Sequence, residues 1–291
     1  GVRPENVVII EGIDGGLGLA NRLFVSPGDA VVTSDGAYPT FNFHVAVCGG
    51  RLIKVPYRDD REDLGALIDA ARENAARIVY VTNPDNPMGT WWPADVMEQL
   101  IRDLPEGVML ALDEAYIDTA PEGTAPAIDV SNPMVLRFRT FSKAYGMAGA
   151  RIGYCIGEAG VIRQFEKIRN HYGINRIAQA GALAALGDQA YLADTVRQVA
   201  AAREEIARIV RRHGLEPLPS ATNFVTVDCG RDSAFARRVL EELLARDVFV
   251  RMPVVAPLNR CIRIGAGRAA DLALFAEALP EALAAVDTQA A

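Results

Sequence analysis

The sequence predicts an α/β protein: a three-layer α/β/α arrangement around a mostly parallel sheet, with a smaller C-terminal α+β domain. Short β-branched runs alternate with helical stretches through the first half of the chain, which is typical of α/β layer architecture. Several of these runs are almost continuously apolar, as expected for strands buried on both faces of a parallel sheet. A change to a mostly helical pattern near residue 161 indicates that the boundary with the second domain lies beyond this point.

The elements of the first part follow from these patterns in chain order. Strands are predicted at Val7–Ile10, Ala30–Ser34, Arg51–Pro56, Ile78–Thr82, Val108–Asp113, Val135–Thr140 and Arg151–Ile156. Helical patterns separate most of them and cover Gly16–Phe24, Thr40–Cys48, Leu64–Glu73 and Ala94–Leu104. Because β and α segments alternate over this length, the helices are expected to cover the sheet as separate layers.

The second part begins with a mostly helical region from about Val161 to His213. Apolar residues at helical spacing between Leu192 and Ile209 predict a long amphipathic helix over about residues 190–212, which connects the domains. Short strands at Asn223–Asp228, Val248–Arg251 and Cys261–Ile264 then combine with helices at Ser233–Ala245 and Ala269–Ala284, before a frayed tail. We therefore expect one domain over residues 1–187 and another over residues 188–291.

Length and composition exclude several classes of protein. A chain of 291 residues is long enough for two domains with their own cores. Its net charge of −7 argues against a general nucleic-acid binder, which would be basic. Four scattered cysteines and three histidines give no metal-binding pattern, so no metal is predicted. No apolar run approaches the ~18 residues of a membrane span, and no signal peptide is seen, which favours a reducing cytoplasm.

Two polar segments follow apolar strands, at the sheet edge where open α/β proteins bind ligands. The segment Asn83–Thr90 suits either a Pro/Gly turn or an asparagine side chain presented to a ligand. Asp113 ends a second apolar strand, and a carboxylate there is costly unless a partner uses it. That partner is either the N-terminus of a helix or a cationic ring nitrogen.

Basic residues form the other candidates. Lys143 lies in a Gly- and Ala-rich loop after a buried strand, and a partly desolvated lysine is a candidate Schiff-base nucleophile. Arg151 follows eight residues later. Arg263 lies within a short apolar strand, where its guanidinium could hold a substrate carboxylate with two parallel hydrogen bonds. A structural salt bridge is the alternative for Arg263.

Together these motifs resemble the fold-type I, pyridoxal-phosphate-dependent aminotransferases of class I/II, and most closely the histidinol-phosphate aminotransferase branch. The matching segments are Asn83–Gly89, Asp113–Tyr116, Ser142–Arg151 and Arg263–Ile264, with a weaker match at Arg169–Asn175. The resemblance runs from about Glu5 to Ala284. It implies pyridoxal 5′-phosphate as the cofactor and a homodimer as the assembly.

The resemblance also implies catalytic roles. Lys143 would form the Schiff base with the cofactor aldehyde and then move the proton at the substrate Cα. Asp113 would pair with the pyridine nitrogen and keep it protonated. Asn86 and Tyr116 would hydrogen-bond the 3-oxygen of the ring. Tyr38 would stack on the ring, an ordinary turn tyrosine being the alternative.

A phosphate cup is implied at the first helix. The segment Gly12–Gly16 follows the first strand and opens this helix, whose N-terminus presents free N–H groups to an anion. The cup residues are Gly12, Ile13 and Asp14 through the backbone, Thr140 and Ser142 through their hydroxyls, and Arg151. Gly15 departs from the family, which usually has an acidic residue there.

The sequence leaves the identity of the substrate open. Arg263 would bind a substrate carboxylate or, in the histidinol-phosphate branch, a substrate phosphate. Arg251 is a second candidate, with a solvated strand arginine as the alternative. Met88 and Gly265 stand where the family often has threonine.

The leading hypothesis is a transaminase that moves an amino group between an amino acid or amino phosphate and a 2-oxo acid. The alternatives are a decarboxylase or lyase on the same scaffold, like the threonine-phosphate decarboxylases, and a non-catalytic ligand-sensing domain. Family members also carry an N-terminal segment before the strand that matches Val7–Ile10, so the resemblance predicts that Gly1 marks a truncated or incompletely observed chain.

Overall fold

A seven-stranded sheet forms the centre of the computed structural model, which describes residues 2–289. Its strands are β1 (Val7–Ile10), β2 (Ala30–Ser34), β3 (Arg51–Val55), β4 (Ile78–Thr82), β5 (Met109–Asp113), β6 (Val135–Thr140) and β7 (Gly153–Ile156). They lie in the order β1-β7-β6-β5-β4-β2-β3, and only β7 runs antiparallel to its neighbours. Gly1 and residues 290–291, the end of the predicted tail, lie outside the described part.

Helices cover both faces of this sheet. They are α1 (Gly12–Phe24), α2 (Pro39–Val47), α3 (Leu64–Glu73), α4 (Ala94–Asp103) and α5 (Ala159–Phe165); α6 (Arg176–Gly187) and α7 (Gln189–Arg211) follow in the chain. Apolar residues of α1, α2 and α5, among them Leu17, Phe41 and Phe165, pack on one face. Those of α3 and α4, among them Leu67 and Met97, pack on the other. The predicted three-layer fold class is therefore confirmed.

The C-terminal region builds a core of its own from residues 202–286. A three-stranded antiparallel sheet, β8 (Glu216–Pro217), β9 (Phe224–Asp228) and β10 (Cys261–Gly265), packs with α8 (Ser233–Leu244) and α9 (Ala269–Gln289). Helix α7 contributes Ile206 and Ile209 to this core. The boundary at residue 188 stays a prediction. No helix within residues 2–289 has the length and hydropathy needed to cross a membrane.

Several predicted ends differ from the structure by a few residues, and three differences are larger. The strand expected at Val248–Arg251 does not form, because only Arg251 pairs with β10, at Arg263, although Val250 is buried and Phe249 is 72% exposed as in a strand. Strand β8 was not predicted, since a two-residue strand that contains a proline has no periodic signal. Helix α9 continues five residues beyond Ala284, to Gln289.

Candidate active site

A cavity lies where the carboxyl ends of the parallel strands meet. Thr82 and Asp113, the last residues of β4 and β5, are in register here, and Asp113 is in register with Phe138, two residues before the end of β6. The sequence-predicted residues that line the cavity are Ile13, Asp14, Tyr38, Asn86, Asp113, Tyr116, Thr140, Ser142, Lys143 and Arg151. Segments that are up to 138 residues apart in sequence thus line one pocket.

Asp113 is a buried carboxylate that two hydrogen bonds from neighbouring residues hold in place. Its Oδ2 accepts a hydrogen bond from the hydroxyl of Tyr80 at 2.9 Å, and its Oδ1 accepts one from the backbone N–H of Ala115 at 2.9 Å. Burial raises the pKa of Asp113 to about 6, although these two donors and the Lys143 ammonium act in the opposite direction. It does not cap a helix, since the next helical turn begins at Ile117. The carboxylate keeps lone pairs for one more donor from the cavity.

Lys143 faces Asp113 across the cavity. It lies in the loop after β6 and is half-buried rather than a surface charge. Its Nζ lies 5.0 Å from the centroid of the Tyr116 ring. The ring of Tyr116 is itself held edge-on by Phe224, with centroids 5.6 Å apart. A cation, a phenol and a carboxylate therefore converge on one space.

The N-terminus of α1 forms the second end of the cavity. No side chain caps this helix, so its first N–H groups are left for another acceptor. Gly12 has a φ of +74°, and a Cβ there would lie 2.5 Å from Nη2 of Arg151. Arg151 is anchored by a hydrogen bond from Nη1 to the Ala148 carbonyl, at 2.8 Å. Free N–H groups and a guanidinium together suit an anion.

Two hydroxyl groups complete this anion corner. The Oγ1 of Thr140 lies 2.9 Å from the Oγ of Ser142, and it accepts a hydrogen bond from the backbone N–H of Ser142 at 3.1 Å. Thr140 is buried at the end of β6, so its position is fixed by the sheet. The corner thus offers hydroxyl donors, helix amides and one positive charge.

Arg263 lies beside the cavity rather than in its lining. Its Nη1 donates to Oδ1 of Asn86 at 2.6 Å, and its guanidinium stacks 4.5 Å from the Phe224 ring centroid. This partner is an amide, so Arg263 is not held by a structural salt bridge through that contact. Burial lowers the pKa of Arg263. Arg251 exchanges two backbone hydrogen bonds with Arg263, but its side chain is exposed and lies outside the lining.

Sequence reasoning missed several residues of this site. The cavity lining also includes Thr82, Pro84, Ala115 and Ala148. Tyr80 was missed because it lies inside an apolar strand. A polar hydroxyl in such a buried run does signal that a partner is present. Thr82, the last residue of β4, could have been found by the strand-end argument that found Asn86.

Comparison with known proteins identifies the family. The model of the family "Aminotransferase class I and II" matches residues 2–279. The histidinol-phosphate aminotransferase of Moorella thermoacetica is 34% identical over 288 residues, which cover 98% of this chain and 74% of that protein. Histidinol-phosphate aminotransferase 2 of Ralstonia nicotianae is 36% identical, and the alignment covers 100% of this chain and 78% of the relative.

A solved structure agrees with these relatives. The histidinol-phosphate aminotransferase of Sinorhizobium meliloti, crystallised in complex with pyridoxal-5′-phosphate, has a TM-score of 0.97 and 53% identity, covering 98% of this chain and 78% of that one. These findings confirm the predicted family, reaction type and cofactor. The chain belongs to the class I and II aminotransferase family, in the histidinol-phosphate aminotransferase branch, and is a pyridoxal-phosphate-dependent aminotransferase.

Proposed function

We propose that this enzyme moves an amino group between an amino phosphate and a 2-oxo acid, with histidinol phosphate as the first amino donor to test. The observation that carries the proposal is the convergence of Lys143, Asp113 and Asn86 on one cavity, with Arg263 beside it donating to Asn86. The names of the similar proteins from Moorella, Ralstonia and Sinorhizobium support the choice of amino phosphate.

The residues present fit pyridoxal phosphate. Its phosphate matches the uncapped N-terminus of α1, and a side chain at Gly12 would displace the guanidinium of Arg151 from that corner. Its ring nitrogen, when protonated, matches the remaining lone pairs of Asp113. When bound, the cofactor supplies an aldehyde and a ring that withdraws electrons from the substrate Cα.

Each side chain then has one task. The Nζ of Lys143 attaches the cofactor and, once displaced by substrate, takes and returns the proton at Cα. Asp113 holds the proton on the ring nitrogen. Asn86 and Tyr116 orient the 3-oxygen, and Tyr38 covers one face of the ring.

Arg263 takes the anionic group of the substrate. Its position fixes that group relative to Asn86, and therefore relative to the ring. Arg251, which is exposed and joined to Arg263 through the backbone, stays the second candidate for this task.

A screen of amino donors tests this function. The protein is loaded with pyridoxal phosphate and mixed with histidinol phosphate, aromatic amino acids or glutamate in turn, and conversion of the cofactor to its amino form is measured. We expect conversion by histidinol phosphate and by glutamate. Release of CO2 without consumption of a 2-oxo acid would instead identify a decarboxylase. No conversion by any donor would support a ligand-sensing role.

We also propose that the enzyme is a homodimer. Large apolar side chains are exposed on two helices. They include Phe43 (65%) and Val47 (83%) of α2, and Ile177 (85%) and Leu183 (75%) of α6. Patches of this kind mark protein contacts, and a two-fold dimer is the commonest assembly that would cover them. Sedimentation equilibrium measures the mass, and a monomer of the 31.3 kDa chain would contradict the proposal.

We place the reaction in the cytoplasm. All four cysteines are free thiols, and three of them are buried. Such thiols suit a reducing compartment. Cell fractionation with an antibody against the protein tests this location, and recovery outside the cytoplasmic fraction would contradict it.

A further inference from the structure

Two buried carboxyl groups contact Thr82, one of the residues that line the cavity. Glu62, in the loop before α3, and Asp85, in the loop after β4, are each only 2% exposed. The hydroxyl of Thr82 lies between them. Its Oγ1 is 3.1 Å from Oε1 of Glu62 and 3.0 Å from Oδ1 of Asp85.

This geometry requires a proton on one of the two carboxyl groups. A threonine hydroxyl has a single hydrogen to donate, whereas an ionised carboxylate can only accept. Thr82 can therefore donate to one carboxylate but not to both. The second contact is a hydrogen bond only if that carboxyl group carries a proton and donates to the lone pair of Thr82.

The other donors identify which group is ionised. Asp85 accepts from the Tyr57 hydroxyl at 2.7 Å and from the Met88 backbone N–H at 2.9 Å, so with Thr82 three donors point at it. Glu62 accepts from the backbone N–H of Thr82 at 3.2 Å. The Ser34 hydroxyl, which also faces Glu62, can either donate or accept. Backbone N–H groups can only donate, and those of Met88 and Asn86 face Asp85 whereas only that of Thr82 faces Glu62, so the fixed donors favour an ionised Asp85.

We propose that Glu62 is a positioning residue: a neutral, protonated acid that donates to Thr82 and so fixes Asp85 and the loop that carries Asn86. Asp85 holds this loop by accepting from Met88, and Asn86 lies between them in sequence. The expected effect on cofactor binding rests on the proposed function, since it assumes that Asn86 contacts the cofactor ring.

The surrounding charges agree with this assignment. Tyr57, Tyr80 and Arg263 face the pair from other elements, and Arg58, Asp59, Arg61 and Asp63 line the same pocket as Glu62. Burial, and next the charge of Asp85, raise the pKa of Glu62 well above its ordinary value. Burial raises the pKa of Asp85 to about 6. These directions agree with the hydrogen-bond geometry, which places the one proton of the pair on Glu62.

Two isosteric substitutions test the assignment. Glu62→Gln replaces the O–H donor by an N–H donor and keeps an acceptor for the Thr82 N–H. Asp85→Asn, the matched control, places an N–H group against one of the three donors. At pH 7 we expect Glu62→Gln to keep its dissociation constant for pyridoxal phosphate within twofold of wild type, and Asp85→Asn to weaken it at least tenfold. The reverse order would overturn the proposal.

The pH dependence of unfolding reports directly whether Glu62 is protonated in the folded protein. Since the folded pKa of Glu62 is raised, its contribution to stability is present at low pH and is lost as pH rises through the folded pKa. Unfolding exposes Glu62 and releases its proton. The unfolding constant of wild type, divided by that of Glu62→Gln, should therefore rise about tenfold per pH unit between pH 6 and the folded pKa.

Urea unfolding of the cofactor-free proteins measures this ratio. A ratio that does not change with pH would show that Glu62 is already ionised and would overturn the proposal. Should Asp85→Asn fail to fold, this comparison of wild type with Glu62→Gln still decides. If no variant and no wild-type protein binds pyridoxal phosphate, the proposed function fails, while the unfolding ratio still reports the state of Glu62.

Discussion

Replacement of Asp113 by asparagine should stabilise the cofactor-free protein as pH rises, although it removes a residue essential to the proposed chemistry. Without cofactor, the Asp113 carboxylate is buried with two neutral hydrogen-bond donors, and the nearby Lys143 ammonium offsets only part of the cost of its burial. Its folded pKa is raised, so its contribution to stability is present at low pH and is lost between its ordinary pKa and the folded value. Asparagine does not titrate and escapes this loss.

The structure sets the size of the effect. Burial raises the pKa of Asp113 from 3.8 to about 6. At 1.36 kcal/mol per pH unit, this difference corresponds to about 3 kcal/mol by pH 7. Of that total, about 1.3 kcal/mol develops between pH 5 and pH 7, a range in which both proteins can be compared. The amide group of asparagine adds a pH-independent amount to the free energy of unfolding. This amount does not alter the difference that develops between pH 5 and pH 7.

Urea unfolding of wild type and Asp113→Asn at pH 5, 6 and 7, without cofactor, measures the prediction. The free energy of unfolding of the variant, minus that of wild type, should grow by about 1.3 kcal/mol over this range. Addition of pyridoxal phosphate should then stabilise wild type more than the variant, because the ring nitrogen provides the missing cation. A difference that stays constant from pH 5 to pH 7 would refute the reasoning.

Three further substitutions test other parts of the site. Lys143→Ala should lose the visible absorption band that pyridoxal phosphate gives with wild type, since no other group takes the place of the Nζ; an unchanged spectrum would contradict the role of Lys143. Gly12→Ala should weaken the binding of pyridoxal phosphate at least tenfold in a fluorescence titration, because a Cβ would lie 2.5 Å from Nη2 of Arg151 and the backbone has a φ of +74°. Gly15→Ala, in the same helix but without a positive φ, is the matched control and should change affinity far less. Arg263→Ala should raise the KM for histidinol phosphate by 10- to 100-fold, about 1.4–2.8 kcal/mol for a charge-assisted contact, with a smaller change in cofactor affinity. Steady-state kinetics that show equal KM values would exclude Arg263 from the substrate site.

The sequence could predict the residues that stand at strand ends, because parallel strands bring their carboxyl ends to one edge. Asn86, Asp113 and Lys143 each follow an apolar run, and the structure places all three on one cavity. The supporting residues could not be predicted in the same way. Tyr80 lies within a buried strand and Glu62 in a loop, and neither position has a periodic pattern that indicates its partner. Val248–Arg251 shows the reverse error, since this β-branched run lies beside the edge strand β10 but pairs with it only at Arg251.

The buried acids around the cavity play different electrostatic parts. Burial disfavours the charged form of Asp113, and a bound cation can offset that cost. The stability that the cofactor-free protein loses at Asp113 is therefore regained as part of the free energy of cofactor binding. Asp85 and Glu62 have no such ligand, and three donors together with one shared proton make their burial tolerable. Of these three acids, only Asp113 should therefore change its protonation when the cofactor binds. The proton taken up or released on binding, measured in two buffers of different ionisation enthalpy near pH 6, should differ between wild type and Asp113→Asn but not between wild type and Glu62→Gln.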